Sequence, residues 1–157
     1  MTEFSVRWLV TCAYINCLPL SADVLPSARV NLDKATELKD AVFLCWSNPR
    51  WISMTLRTVT RGHRVLRRIG LGMVSGLDYT GVDITDIHHK IGETAYQEWL
   101  ELDRLLVQLS ESHSIRLEIL YNSRVEKDEE RERNRMNILL PEVMTRGIAG
   151  LVGRRGV

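Results

Sequence analysis

Hydrophobic positions along this chain recur either at every second residue or at alternating three- and four-residue steps, and each spacing names an element. The clearest predicts a helix from about Glu93 to Ser110. Ala95, Trp99, Leu102, Leu106 and Leu109 form one stripe, Tyr96 and Leu105 widen it, and Ser112 to Ser114 break it. The acidic first turn suits the positive end of the helix dipole. Directly afterwards Ile115, Leu117, Ile119 and Tyr121 alternate with Arg116 and Glu118, the pattern of a half-buried strand. Leu66, Ile69 and Leu71 spell L-x-x-I-x-L, and Met73 continues the alternation as a second strand. Ala28, Val30 and Leu32, alternating with Arg29 and Asn31, predict a short third one.

The remaining segments carry mixed signals. Thr36-Glu37 reads as a helix start, with Leu38, Ala41, Val42 and Cys45 on one stripe, although Val42-Phe43-Leu44 also suits a strand. Ser47-Asn48-Pro49 sets a capping side chain before a proline at the first helical position. The helix it opens should turn Ile52, Leu56 and Val59 inward and stop near Gly62. Ser75 to Ile87 reads as a long loop, and Val125 to Arg135 as a solvated helix laced with local ion pairs. Met136, Leu139, Leu140, Val143 and Met144 give a last apolar face, with Pro141 forcing a kink or restart. Phe4 to Leu18 is apolar without a clean period and fits a buried strand or a short helix.

Strands alternating with helices place parallel strands in one sheet with helices packed on it, an α/β class. A doubly wound sheet and a repeat solenoid both satisfy that order. The L-x-x-I-x-L strand favours an irregular leucine-rich-repeat-like solenoid fragment, mostly short parallel strands with helical returns. The 157 residues suit one domain better than two. The expected organisation is an apolar N-terminal segment over 1–27, a single α/β repeat-like domain over 28–146, and a basic flexible tail over 147–157.

A net charge of +1 is uninformative, but its distribution changes the picture. Between Ala41 and Leu77 lie Arg50, Arg57, Arg61, Arg64, Arg67 and Arg68 and no acid. Asp78, Asp83, Asp86, Glu93, Glu98, Glu101, Asp103 and Glu111 follow, against only Lys90 and Arg104. The preferred reading is that the two segments neutralise each other; the sharper one is an exposed anion-binding face. Arg57, Arg61, Arg64 and Arg68 fall at steps of four, three and four, so a continuous helix would align them, with Trp51 and His63 adding ring surfaces. Gly62 should end that helix, after which Arg67 and Arg68 belong to a strand approach. Arg57, Arg61, Arg64, Arg67 and Arg68 are therefore the candidate anion- or partner-binding residues, and nucleic acid is the less favoured ligand.

Candidate chemistry is sparse. Gly70, Gly72 and Gly76 have the spacing G-x-G-x-x-x-G, followed by a loop where a phosphate site needs a helix N-terminus, so tight turns after a strand are the expected role. Asp83, Asp86, His88 and His89 form a His/carboxylate cluster, but adjacent histidines point to different sides of a regular element. Ser75 lacks a nucleophile elbow, and Cys45 sits in an apolar run that silences a thiol. No catalytic, cofactor-binding or metal residue is expected, and an enzyme is not.

Cys12, Cys17 and Cys45, few and odd in number within apolar stretches, point to a reducing compartment, cytoplasm or nucleus. Arg7, the apolar run Trp8–Leu20 and Ser21-Ala22 make secretion the alternative, should residues 1–22 act as a signal peptide. Glu3, Thr11 and Asn16 weaken that pattern, and the run is too short to span a bilayer.

Two blocks carry a resemblance. ELKDAVFLCWSNPRWISMTLRTVTRGHRVLRRIGL, Glu37 to Leu71, and LDRLLVQLSESHSIRLEILY, Leu102 to Tyr121, followed by ILLPEVMTRGIAGLV, Ile138 to Val152, resemble the C-terminal region of leucine-rich-repeat-like, F-box-associated proteins of mushroom-forming fungi. The resemblance implies an α/β repeat scaffold whose longer relatives carry an N-terminal F-box docking a ubiquitin-ligase adaptor. Nothing before Ala28 has the helical periodicity of an F-box, so ligase function does not carry over. Nor does the resemblance supply a catalytic residue. A non-enzymatic protein-interaction scaffold with a protein partner is the expectation, and nucleic-acid or anion binding through Arg50–Arg68 the alternative.

Overall fold

The computed structural model describes residues 4–9, 12–17, 31–43, 49–72, 92–122 and 128–154. Their strands are β1 (Phe4–Leu9), β2 (Cys12–Cys17), β3 (Asp40–Phe43), β4 (Arg68–Gly72), β5 (Arg116–Asn122) and β6 (Ala149–Arg154). The helices are α1 (Pro49–Leu56), α2 (Glu93–His113), α3 (Asp128–Leu139) and α4 (Pro141–Thr145). The strands form one sheet in strict sequence order; β1 and β2 pair antiparallel, and every pairing from β2 to β6 is parallel. The parallel α/β expectation holds, and β4 and β5 are parallel neighbours. The order never reverses across β2 to β6, so these strands lack the switch point at which doubly wound sheets bind ligands.

Register explains the core. Ala41, Ile69, Leu117 and Ala149 are successive partners in one row, and Phe43, Leu71, Ile119 and Leu151 in the next. Both rows turn toward the helices. They join Trp51, Ile52 and Leu56 of α1, Trp99, Leu102 and Leu106 of α2, Met136 and Leu139 of α3 and Val143 of α4 in one cluster. Trp99, Leu102, Leu106 and Leu109 of the expected α2 stripe are buried, while Ala95 at its start and Tyr96 and Leu105 at its margin are half-buried. Ser114 closes the helix in the left-handed conformation, φ 52°. Pro141 restarts a short helix after α3, as its missing N–H requires.

Four expectations need correction. The described part of the stripe that begins at Leu38 is no helix: Asp40–Phe43 is a strand whose Ala41, Val42 and Phe43 are all buried. A strand buried on both faces loses its alternation, and its continuous apolar run then imitates a helical stripe. Of the expected Ala28–Leu32 strand, residues 28–30 lie outside the described ones, and Asn31 and Leu32 are in no strand but lead into a turn at Asp33-Lys34. There the Asn31 side chain accepts the Asp33 amide at 2.8 Å. Helix α1 stops at Leu56, not near Gly62. Thr58 Oγ1 donates to the Thr55 carbonyl at 2.6 Å and accepts the Leu32 amide at 2.8 Å, a side-chain alternative to helical bonding. Finally, the tail expected to fray supplies β6, paired with β5 from Leu117↔Ala149 to Asn122↔Arg154. Within the expected Phe4–Leu18 run, Phe4–Leu9 and Cys12–Cys17 are two paired strands. The Ser75–Ile87 loop, the Asp83/Asp86/His88/His89 cluster, Ser47-Asn48 and Cys45 lie outside the described residues.

Candidate functional site

In a parallel sheet with helical returns, loops running from helix ends to strand starts gather on one edge. Here the loops before β3, β4 and β5 form that N-terminal rim, and they are tied together. The Arg67 amide donates to the Lys39 carbonyl (2.8 Å) and the Arg116 amide to the Arg67 carbonyl (2.8 Å). His63, fully buried, clamps the first two loops: Nε2 donates to the Leu32 carbonyl at 2.7 Å, and Nδ1 accepts the Thr60 amide at 3.0 Å. His113, in the last turn of α2, donates from Nε2 to the Thr60 carbonyl at 3.0 Å. The rim is thus a set of pinned loops.

The five candidate arginines part company on this frame. Arg57 follows α1 and reaches Glu101 of α2 at 3.8 Å, with both side chains about 60 % exposed, a pairing of little energetic weight. It borders a groove of about 850 Å³ between α1 and α2, with Arg50 on the same wall and Glu93, Glu98 and Glu101 opposite. Arg61, Arg64 and Arg67 are exposed on the rim and make no ion pair with any described residue. Arg68 lies in β4, and its Nε donates to Glu118 at 2.6 Å. Among the described residues, the neutralisation expected between the basic and acidic segments therefore occurs at Arg57, while the rim arginines have no carboxylate. Neither aromatic ring expected beside them is available. Trp51 is buried edge-on against Phe43, ring centroids 6.3 Å apart, and His63 is in the core.

Glu118 was missed as a functional residue because alternation marked it as a solvent position. It is buried, and its second oxygen takes Arg116 Nε at 3.1 Å, so two guanidinium groups share one carboxylate on the face opposite the helices. Glycines flank it in register, Gly70 on β4 and Gly150 on β6. Neither Gly70 nor Gly72 makes a turn; both lie inside β4. A Cβ on Gly70 would sit 3.3 Å from Val42 Cγ2 and 3.5 Å from Leu120 Cδ1, so those two side chains occupy the space it leaves. At Gly150 an added Cβ would meet nothing within 4 Å. Among the described residues of this face, Arg116, three-quarters exposed, and Gly150 are exposed.

A second buried carboxylate serves the fold. Asp103 of α2 accepts the Glu142 and Val143 amides, each at 2.9 Å, and so satisfies the first free donors of α4. Burial pushes its carboxyl above the ordinary value, partly offset by those two amide bonds. Among the described residues no three metal-ligating side chains come together. No described helix is long and apolar enough to cross a membrane. The chain matches no protein-family model, no curated protein and no solved structure.

Proposed function

We propose that this chain is a non-enzymatic protein-binding scaffold, an irregular solenoid segment of leucine-rich-repeat-like type working in a reducing compartment, cytoplasm or nucleus. The observation that supports it is the row-by-row growth of the sheet. Ala41, Ile69, Leu117 and Ala149 stack as equivalent positions of successive strand–helix units, each burying its apolar face against its neighbour. Such scaffolds bind along the sheet face opposite the helical returns, and on that face Arg116 and Gly150 are exposed on either side of the buried Glu118. The reading agrees with the resemblance to F-box-associated repeat proteins. Binding of an anion by the whole Arg50–Arg68 segment is the weaker reading, because Arg57 and Arg68 already hold carboxylates.

Gly150→Arg tests the proposal. The new side chain has room and projects beside Glu118, so unfolding free energy should move by no more than about 0.5 kcal/mol. The tagged wild-type chain, cross-linked in cell extract and quantified by mass spectrometry, should retain a protein that the variant loses. Equal retention by the two chains, or none above background, would overturn the scaffold reading.

A further inference from the structure

We infer that the N-terminal rim is an electrostatic dock for an acidic, extended segment of a protein partner, held by Lys39, Arg61, Arg64 and Arg67. The inference rests on the scaffold reading and names the chemistry of the partner. All four side chains are exposed, and none has an ion-pair partner among the described residues. They sit on two adjacent loops whose backbones are joined by Arg67 N–H to the Lys39 carbonyl and by the buried His63 clamp. Gly62, between Arg61 and His63, packs near Thr36: a Cβ there would lie 3.7 Å from Thr36 Cγ2. The cations therefore project from a preorganised frame, which lowers the ordering cost of binding an anion.

One part of the positive charge at this edge has another explanation. Arg57, His113 and Arg146 sit at the ends of α1, α2 and α4, where a helix dipole is negative. Arg146 also pairs with Glu111 and Glu142. Lys39, Arg61, Arg64 and Arg67 are accounted for by neither a helix end nor a carboxylate of the described residues.

The rim favours a carboxylate-bearing peptide over a nucleic acid. Asp33 and Glu37 are exposed on the loop before β3, beside Lys39, and would repel a phosphate backbone with its dense, regular charge. A peptide can place carboxylates at the arginines and hydrogen-bond donors elsewhere. The rings that would stack bases are withdrawn, with Trp51 and His63 both buried.

Fluorescence anisotropy of a labelled peptide of about ten alternating Glu and Gly residues, titrated with the full chain, tests this. Binding should weaken as salt rises from ~50 to ~300 mM. It should fall about tenfold in Arg61→Ser/Arg64→Ser/Arg67→Ser and stay unchanged in Arg57→Ser and Gly150→Arg. A thermal melt of the triple variant should match the wild type, since all three side chains are solvent-exposed. Absence of saturable binding, or equal affinity in the triple variant, overturns the inference. Tighter binding of oligothymidylate, lost in the same variant, replaces it with the nucleic-acid reading. If the peptide fails to bind while Gly150→Arg still loses a cross-linked protein, the scaffold stands and the rim inference alone falls.

Discussion

The two faces of this sheet are written by the same strands and differ in nearly every physical respect. Toward the helices, alternate positions of β3, β4 and β5 present Ala41 and Phe43, Ile69 and Leu71, Leu117 and Ile119, and these disappear into a core shared with all the described helices. On the other face the same strands present Asp40, Arg68, Arg116 and Glu118 together with the buried Val42 and Leu120, with Gly70 and Gly72 between them. The first face is held by apolar burial, which scales with area and tolerates no gap. The second combines a smaller apolar patch, Val42 and Leu120 packed over Gly70, with directional contacts from one carboxylate bridging two arginines. Apolar burial thus extends to both sides of the sheet, and only where the second face is exposed, at Arg116 and Gly150, can its chemistry change at small cost.

Single substitutions separate the two faces experimentally. The largest effect belongs to the helix side: Leu106→Ala should cost on the order of 2–5 kcal/mol in urea unfolding, because Leu106 is buried in the shared core. A loss below about 0.5 kcal/mol would mean that α2 does not pack on the sheet as described. Next comes the joint between helices. Asp103→Ala leaves the Glu142 and Val143 amides without their acceptor and should cost about 1–3 kcal/mol.

That same carboxylate has a pH signature. Because burial raises its folded pKa above the unfolded value of 3.8, its contribution is fully present below that value and is lost as pH rises through the folded pKa. The stability deficit of Asp103→Asn relative to wild type should therefore be larger at pH ~3.5 than at pH ~7. A deficit that grows with pH would show the two amide bonds outweighing desolvation.

The smallest effects distinguish the two glycines of the opposite face. Gly70→Ala should cost about 1 kcal/mol, since its Cβ meets Val42 at 3.3 Å. Gly150→Ala, with open space around it, should be neutral or slightly stabilising. Equal effects at both positions in thermal melts would contradict the assigned packing around β4 and β6.

Much of this protein was legible in one dimension. The period of Trp99, Leu102, Leu106 and Leu109 determined α2 and its buried face; the alternation at Leu117 and Ile119 determined β5; Pro49 and Pro141 determined where two helices begin. These signals are local, because helix and strand periodicities and the geometry of proline act within a few residues. Other features were decided only when distant segments met. Asp40–Phe43 became a strand because β2 and β4 flank it, and Ala149–Arg154 was held because β5 offered an edge. Glu118, alternating like a surface residue, was buried by arginines from two strands, and Thr58 ended α1 by bonding to Leu32. The arginines show the division most plainly. Spacing put Arg57, Arg61, Arg64 and Arg68 on one imagined helix face, but the chain spent Arg57 and Arg68 on carboxylates far away in sequence and left Arg61, Arg64 and Arg67 on the rim. Whether a charge is paired depends on which segments the fold brings within a few ångströms of it, and that is information a local pattern does not contain.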